Sequence, residues 1–317
     1  NAVPMNGSGR WNWYPDTVYM NGVGKPLQGT AAWGLATYGD NPDADVYIDN
    51  GLDNRWAYIR NGMGYSQDNH AENRGGSQPR GMDYGSGFYA QVITYLDALK
   101  TSTDVNLFDE APVLKEYLEW FAKSYYYTED FIRRPEHGHN AHKEEAYHPN
   151  AIKALRILID NYSDTTEAKW AQWWFNNTSD AQSAANDYRY SGPEGVIFTN
   201  YDQATQSFAS EPLAYFSEGN GSWVARSDWP ANGQEPMTYA TFRAGNWTWF
   251  SQTHWDQGDF DLYSHGAPLL VDGGTYEGGG GAPTRAYHYQ SVAHNTLLIK
   301  DPEQEQTWDS LSWASYD

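Results

Sequence analysis

The fold of the C-terminal half of the chain is indicated most clearly by residues 251–274, SQTHWDQGDFDLYSHGAPLLVDGG. It contains two short runs, Phe260–Tyr263 and Leu269–Val271, and it ends in the turn signal Gly273-Gly274. Alternation with a period of two is typical of β-strands, and glycine clusters are typical of the turns between them. This stretch therefore predicts antiparallel β-structure.

The same pattern continues on both sides of this stretch. Further runs with strand character are Trp223–Asp228, Met237–Arg243, Trp247–Thr253 and Thr296–Ile299. Turn signals such as Ala231-Asn232-Gly233 separate them. We therefore predict an antiparallel β-sandwich over residues 191–317.

Residues 87–175 show a helical period instead. Apolar residues recur at three- and four-residue spacing, as in Val92, Tyr95, Leu96 and Leu99. Pro149 fits a helix start, and a further helix is predicted at Glu167–Phe175. Residues 1–85 lack a clear period and predict long loops around short elements such as Thr30–Tyr38. Helices over residues 1–190 and strands after them predict a segregated α+β chain.

Composition and charge exclude several classes of protein. The 317 residues include 41 acidic and 20 basic ones, for a net charge of −21, which argues against binding to nucleic acid or to anionic membranes. No run of 18 apolar residues predicts a membrane span. The absence of cysteine excludes disulfides and thiolate metal sites. Aromatic residues make up 16%, which suits sugar rings as well as a protein core.

Three residues in the β region are candidate metal ligands. His254, Asp272 and His294 each lie at or beside the edge of a strand run. Imidazoles and a carboxylate are good ligands for a divalent, zinc-like ion, although spacings this long equally suit histidines with structural hydrogen bonds. A second histidine-rich stretch, residues 136–148, indicates either an exposed loop or a metal site.

Candidate acid–base residues precede the first long helix. Tyr84 and Tyr89 lie close to Arg80, whose charge could draw a tyrosine pKa down from its usual value of about 10. Asn69-His70 offers a general base and a hydrogen-bond donor for a carboxylate. Each of these tyrosines could equally be a core or capping residue.

Read together, several segments resemble the heparinase II/III-like polysaccharide lyases. Residues 251–263 resemble the His-x-Asp-x-Gly-x-Phe strand of that family, residues 266–276 its Asp-x-Gly-x-Tyr element, and residues 291–297 its His-Asn-Thr strand. Arg226–Trp229 and Phe242–Gly245 match family habits in the same order. The resemblance is specific over residues 223–300 and looser in the helical half.

The resemblance implies an incomplete (α/α) toroid followed by a β-sandwich, with the site in the cleft between them. It implies that the chain degrades uronic-acid polysaccharides such as alginate, ulvan or a glycosaminoglycan by β-elimination. The family's metal ligands carry onto His254, Asp272 and His294, with zinc as the expected ion. Its catalytic tyrosine carries onto Tyr84, and a substrate contact onto Tyr276.

The sequence departs from the family at the position of Gln252, where many relatives have a catalytic histidine. Asn69, Gln252 and Arg80 are candidates to neutralise the substrate carboxylate. Tyr84 is the candidate proton donor, with His70 or Tyr84 itself as the base. Arg80, Tyr89 and Tyr276 are candidate substrate-binding residues, and Tyr89 is the alternative catalytic tyrosine.

Two other functions fit the same residues. A uronate C5-epimerase begins with the same proton abstraction, and a catalytically inactive carbohydrate-binding protein could keep the metal for structure alone. We expect a secreted or periplasmic protein. The net charge of −21 opposes a polyanionic substrate, so we expect a local basic cleft drawn from Arg74, Arg80, Arg226, Arg243 and Arg285.

Overall fold

The described part of the chain combines helices with a β-sheet. The computed structural model describes residues 24, 27–61, 74–78, 81–127, 132–133, 149–177, 197–198, 200, 202–229, 237–245, 254–272, 287–288 and 290–297. Within them, the α-helices end by residue 177 and the large sheet begins at residue 214. The chain therefore has the predicted α+β character.

Seven α-helices lie in the described part of the N-terminal region. In chain order they are α1 (Ala32–Ala36), α2 (Ala44–Asp49), α3 (Ala57–Arg60), α4 (Gly81–Thr103), α5 (Pro112–Ser124), α6 (Pro149–Asn161) and α7 (Thr166–Asn177). Turns of π-helix precede α1 (Leu27–Ala31) and join α2 to α3 (Asn50–Trp56). No described helix combines the length and the apolar character needed to cross a bilayer.

The helical structure of residues 27–60 corrects the prediction of long loops there. A few side chains anchor these turns to the core, and Leu27, Trp56 and Ile59 are buried. Gly51 packs so closely on Ala31 and the Tyr95 hydroxyl that a Cβ at this position would clash. Small residues and isolated anchors therefore replace the continuous apolar stripe that a sequence pattern detects.

The long helices follow the predicted period. The stripe of α4 that contains Val92, Tyr95, Leu96 and Leu99 is fully buried. Helix α4 packs against α6, and α5 packs against α7. Helix α6 begins at Pro149 as predicted, and α7 extends the predicted fourth helix at both ends.

The C-terminal region forms a five-stranded antiparallel meander. Its strands, in both chain and spatial order, are β3 (Ala214–Ser217), β4 (Ser222–Arg226), β5 (Thr238–Arg243), β6 (Phe260–Ser264) and β7 (Ala267–Leu270). Two short strands in the helical region, β1 (Tyr126–Tyr127) and β2 (Ile132–Arg133), form a separate pair.

Four of the predicted strand runs are confirmed by β4 to β7. Strand β3 was not predicted. Residues 247–253 lie outside the described residues, as do 298–299, and the described residues 296–297 are not in a strand. In the described residues of the C-terminal half, the meander is the one sheet present, so the second layer of a sandwich is not seen in them.

The two faces of the meander differ in what covers them. One face contributes Val224, Tyr239 and Tyr263 to the hydrophobic core that also contains the helices. The opposite face carries a row of aromatic side chains in register across four strands, namely Phe216, Trp223, Phe242 and Phe260. The three phenylalanines of this aromatic row are 40–56% exposed.

Hydrogen bonds join the helical region to the core-facing side of the sheet. Residues 74–78 act as a strap, in which the Ser77 hydroxyl lies 2.6 Å from both Ser217 Oγ and Asn220 Oδ1. At the end of α5, the Lys123 carbonyl accepts from Arg226 and the Ser124 carbonyl accepts from Tyr239. These buried bonds hold the sheet against the start of α4 and the end of α5.

Candidate functional site

A tight turn before β6 brings two aspartates to the end of β5. The Gly258 amide donates to the Arg243 carbonyl (2.6 Å), and the Arg243 amide donates to the Asp259 carbonyl (3.0 Å). Gly258 has a φ of +86°, which glycine adopts without strain. This geometry fixes the backbone of Asp256 and Asp259 beside Arg243.

Asp256 forms a buried ion pair with Arg243. The Arg243 Nη1 donates to Asp256 Oδ2 at 2.6 Å, and the two side chains are 2% and 0% exposed. A charged pair this deep requires each partner, because an isolated buried charge is strongly unfavourable. The pair therefore anchors the turn to the end of β5.

Asp261 connects three segments of the site. Its Oδ2 accepts from the Thr241 hydroxyl of β5 (3.0 Å), and its Oδ1 accepts from the Asp272 amide that follows β7 (2.7 Å). The ends of β5 and β7 are thus held against β6. The backbone of Asp272 is thus fixed by this bond at the end of β7.

His294 contacts the Asp272 carboxylate. Its Nδ1–H donates to Asp272 Oδ2 at 2.8 Å, and its Nε2 is buried without a hydrogen-bond partner among the described residues. The neighbouring Asn295 amide donates to Asp259 Oδ1 (2.8 Å), which ties this loop to the turn before β6. The ring centroid of His254 lies 5.3 Å from that of His294.

Three of these side chains have the spacing of a metal site. Donor atoms of Asp259, Asp272 and His294 all lie within 4.8 Å of one another, and all three residues are buried. The structure thus brings together two of the three predicted ligands, Asp272 and His294. His254 is buried next to them but does not belong to this group, and the predicted ligand set with His254 stays a prediction.

The charges of the site fit a divalent cation. Burial, followed by the nearby charges of Asp272 and Asp261, raises the pKa of Asp259 to about 8. Burial alone would lower the pKa of His294, but its hydrogen bond to Asp272 and the surrounding carboxylates raise that pKa above its usual value. The raised pKa values mean that Asp259 and His294 hold protons more tightly than usual, and a bound cation would displace those protons. An imidazole with two carboxylates is a suitable donor set for a divalent cation.

The structure describes the backbone of Tyr84 and both the backbone and the side chain of Tyr89, the two predicted catalytic tyrosines. Tyr84 lies in the first turn of α4, and its side chain is outside the described part. Tyr89 is 0% exposed, its ring centroid lies 4.3 Å from that of Tyr117, and its hydroxyl donates to the Gly76 carbonyl. This packing argues against direct contact between Tyr89 and a polymer.

The other predicted residues lie outside the described part of the chain. These are Asn69, His70, Arg80, Gln252, Tyr276 and the histidine-rich stretch at 136–148. Among the arginines expected to form a basic cleft, Arg226 and Arg243 are buried and Arg74 pairs with Glu218. The described arginines therefore do not form such a cleft.

Asp259 is the member of the site that the sequence argument did not identify. It lies in the family-like segment 251–263, but at a position between the motif residues. A signal was present, since Asp256, Asp259 and Asp261 are three carboxylates within six residues beside a predicted strand. An acidic run of this kind more often marks a solvated loop, and only the fold shows that it is buried.

Comparison with known proteins agrees with the resemblance seen in the sequence. The family model described as "Heparinase II/III-like, C-terminal" matches residues 213–316. No curated protein matches the chain at a significant level.

Two solved structures align with most of this chain at low sequence identity. A crystal structure of heparinase III matches with a TM-score of 0.56 and 15% sequence identity, over 90% of this chain and 40% of that one. A heparan sulfate lyase from Pedobacter heparinus matches with a TM-score of 0.46 and 16% identity, over 86% of this chain and 36% of that one. The chain thus spans well under half the length of these proteins. The similarity to a known family thus rests on the C-terminal third, residues 213–316, which matches the heparinase II/III-like C-terminal domain model.

Proposed function

We propose that this chain is a polysaccharide lyase, or a part of one, that cleaves a uronic-acid polysaccharide by β-elimination. The observation that carries the proposal is that the segments with the family motifs, residues 254–263, 272 and 291–297, converge on one buried site. The family match over residues 213–316 supports it. A glycosaminoglycan of the heparin type is the first substrate to test, with alginate and ulvan as the alternatives.

β-Elimination needs three chemical tasks. The uronate carboxylate must be neutralised, the C5 proton must be removed, and the O4 leaving group must be protonated. Stabilising the negative charge that develops at C5 supplies the largest rate effect. We assign neutralisation of the substrate carboxylate to Asn69, Gln252 and Arg80. Tyr84 protonates the O4 leaving group. His70 or Tyr84 itself removes the C5 proton.

The position of α4 supports this assignment for Tyr84. Helix α4 begins three residues after the strap at 74–78, which is hydrogen-bonded to Ser217 and Asn220. Tyr84 therefore lies within ten residues of a segment that is bound to the sheet. This is where a cleft between the two regions would hold a polymer, and Tyr276 would contact it from the other side.

The metal centre has a structural part in this proposal. Asp272 and His294, with His254 or Asp259, would hold one divalent ion, with zinc as the ion expected from the resemblance. Bound there, it would neutralise buried carboxylates and fix the loop 290–297 against the sheet. The chemistry at the sugar is left to the residues around Tyr84.

The proposal extends to the architecture and the location. The helices α4 to α7 would belong to an incomplete (α/α) toroid, and the meander would be one layer of a β-sandwich. The division between the two domains would fall near residue 190. A secreted or periplasmic location would give the enzyme access to an extracellular polymer.

The variant Tyr84→Phe tests the catalytic assignment. It removes one oxygen, so we expect the fold to survive while turnover falls by about 10²–10⁴-fold, as for other lost acid–base groups. The matched control is Tyr38→Phe, because Tyr38 is exposed and distant in sequence from the site. The measurement is the rate at which unsaturated uronate, which absorbs near-ultraviolet light, appears from heparin-type substrates.

Wild-type rates in Tyr84→Phe would remove Tyr84 from the mechanism. Loss of activity in Tyr38→Phe as well would show that the assay reports on folding rather than chemistry. The same assay on hyaluronan, alginate and ulvan identifies the substrate class.

A second function is favoured by Gln252, which stands where many relatives have a histidine. In this alternative the chain binds the polysaccharide and does not cleave it. Binding measured by calorimetry, with no unsaturated product after long incubation, would support it.

A further inference from the structure

We propose that strand β3 positions the residues assigned to the elimination, through two side chains that bind the strap at 74–78. These are Tyr215 and Ser217, alternate residues of the strand that both face the helical region. The inference rests on the proposed function and deepens it by naming positioning residues. Each of the two acts by fixing the strap and not by contact with the polymer.

Ser217 makes the closest contacts with the strap. Its Oγ accepts from the Ser77 amide (3.1 Å), lies 2.6 Å from the Ser77 hydroxyl and donates to the Arg74 carbonyl (3.0 Å). A Cβ at Gly75, where φ is +84°, would lie 2.5 Å from the Ser217 Cα. The strap therefore lies directly on the backbone of β3, and only glycine fits between them.

Tyr215 holds the same part of the strap from a neighbouring position. Its hydroxyl donates to the Gly75 carbonyl (3.1 Å), and its ring centroid lies 6.0 Å from that of Trp120 in α5. The Lys123 Nζ lies over the same ring, 5.6 Å from its centroid. Burial, followed by the charges of nearby glutamates, raises the pKa of Tyr215 above its usual value. The hydroxyl therefore keeps its proton and remains a donor at neutral pH.

Helices α4 and α5 hold the strap from the other side. Glu116 Oε2 accepts from the Gly75 amide (2.7 Å), and the Tyr89 hydroxyl donates to the Gly76 carbonyl (3.4 Å). The carbonyls of residues 74, 75 and 76 thus each accept a bond from a side chain of another element. A segment fixed from both sides has one position relative to the sheet, and β3 supplies the sheet's share of those bonds.

The strap lies in the chain between the assigned residues of the helical region. Asn69 and His70 precede it, and Arg80 and Tyr84 follow it. The other assigned residues follow strands of the sheet in the chain. The contacts of β3 therefore connect the two groups that must act on one sugar, and a displacement of about 1 Å between such groups can lower a rate by about 10²-fold.

Gln78, at the end of the strap, supplies an independent observation. It is 4% exposed and passes Gly85 of α4 so closely that a Cβ there would lie 2.8 Å from its Oε1. Neither polar atom of its carboxamide has a hydrogen-bond partner among the described residues. An unpaired buried amide is unfavourable and persists where the surroundings fix a segment, as they do at functional sites. The strap is thus held in place at a cost in stability, which fits a segment whose position serves the chemistry.

Steady-state kinetics of the full chain test the proposal. The substrate is the first of heparan sulfate, alginate and ulvan that the wild-type chain cleaves, and the readout is release of unsaturated uronate. Ser217→Ala removes the bonds to Ser77 and Arg74, and Tyr215→Phe removes only the bond to Gly75. We expect kcat to fall about 10–100-fold in Ser217→Ala and about 3–10-fold in Tyr215→Phe, with KM within about twofold of wild type. KM changes little because groups away from the reacting atoms bind most of the polymer.

Tyr239→Phe is the matched control. Like Tyr215→Phe, it removes a tyrosine hydroxyl that bonds the sheet to the helical region, but the acceptor is the Ser124 carbonyl at the end of α5 and not the strap. We expect wild-type kcat in this variant, even though its unfolding temperature should fall at least as much as that of Tyr215→Phe. This comparison separates loss of positioning from loss of stability.

Wild-type kcat in both β3 variants, or an equal loss of kcat in Tyr239→Phe, would overturn the inference and leave the proposed function standing. If Ser217→Ala does not fold, Tyr215→Phe, which keeps the aromatic ring, decides alone. A wild-type chain that releases no unsaturated uronate from any of the three polymers would refute the proposed function, and the positioning role of β3 with it.

Discussion

Arg243 and Asp256 form the ion pair on which the turn before β6 depends, and both side chains are buried. Removing the arginine would leave a carboxylate uncompensated inside the protein. We therefore expect Arg243→Ala to lower the free energy of unfolding by about 3–5 kcal/mol. Urea denaturation followed by circular dichroism measures this loss.

The exposed pair between Arg60 and Glu110 is the control for that prediction. Its nitrogen–oxygen distance is also 2.6 Å, but the two side chains are 35% and 41% exposed. Water and salt screen such pairs, so Arg60→Ala should cost about 1 kcal/mol or less. Equal losses in both variants would show that burial does not set the strength of the Arg243 pair.

Strand β6 shows why residue-level burial was hard to predict. Its alternation of Phe260 and Leu262 with Asp261 and Tyr263 predicted a strand correctly. Hydropathy would bury the phenylalanine and the leucine, yet the structure buries Asp261 and Tyr263. Asp261 is tolerated inside because Thr241 and the Asp272 amide donate to it, and those partners are distant in sequence.

At the scale of elements, the strap at 74–78 fits into a narrow space. Gly76 has a φ of +82°, and a Cβ there would clash with the Glu116 carbonyl and the Tyr117 backbone of α5. Gly39 has a similar φ of +90° but open space around it. Substitutions at Gly39 and Gly76 can therefore distinguish the cost of backbone strain, which both share, from the cost of steric overlap, which only Gly76 has.

We expect Gly39→Ala to cost about 1–2 kcal/mol for its left-handed backbone alone. Gly76→Ala should cost at least about 2 kcal/mol more, because the strap must also move away from α5. Thermal unfolding of the two variants measures the difference. Equal destabilisation would mean that the strap is not packed as closely as the structure shows.

The aromatic row of Phe216, Trp223, Phe242 and Phe260 gives a test of the proposed sandwich. Soluble proteins rarely leave a large apolar patch exposed, and sandwiches bury such faces between two sheets. If a second sheet covers the row, hydroxyl radicals should label Phe242 and Phe260 slowly. Trp33, which is 57% exposed on α1, provides the fast reference. Labelling of the row at the rate expected for fully open phenylalanine would contradict a sandwich.

The elements were predicted well where one pattern extends along a segment. Helix α6 and strands β4 to β7 follow such patterns. The short element predicted at Thr30–Tyr38 overlaps the helical turns at 27–36. The helical turns at 44–60 and strand β3 were missed, because they are anchored by contacts with distant residues, such as Gly51 with Tyr95 and Ser217 with Arg74. In the site, strand ends identified Asp272 and His294, but no local pattern revealed that Asp259 meets them.

At the scale of the whole molecule, the net charge of −21 opposes an anionic polymer. The described arginines do not offset this, since Arg226 and Arg243 are buried. Added salt screens long-range repulsion, with a Debye length of about 10 Å at 0.1 M. We therefore expect the KM for a sulfated polysaccharide to fall as salt rises from about 0.01 M to about 0.1 M. A KM that rises steadily over this range would instead indicate a basic cleft.

If the chain breaks a uronic-acid polymer by elimination, the products carry its signature. Incubation of the purified chain with heparan sulfate in D₂O, followed by mass spectrometry, reads that signature. We expect shortened chains with an unsaturated uronate at the new non-reducing end and no added water. Shortened chains that have gained water would instead show hydrolysis, and full-length chains with deuterium at C5 would show an epimerase. Either result would rule out elimination as the reaction of this protein.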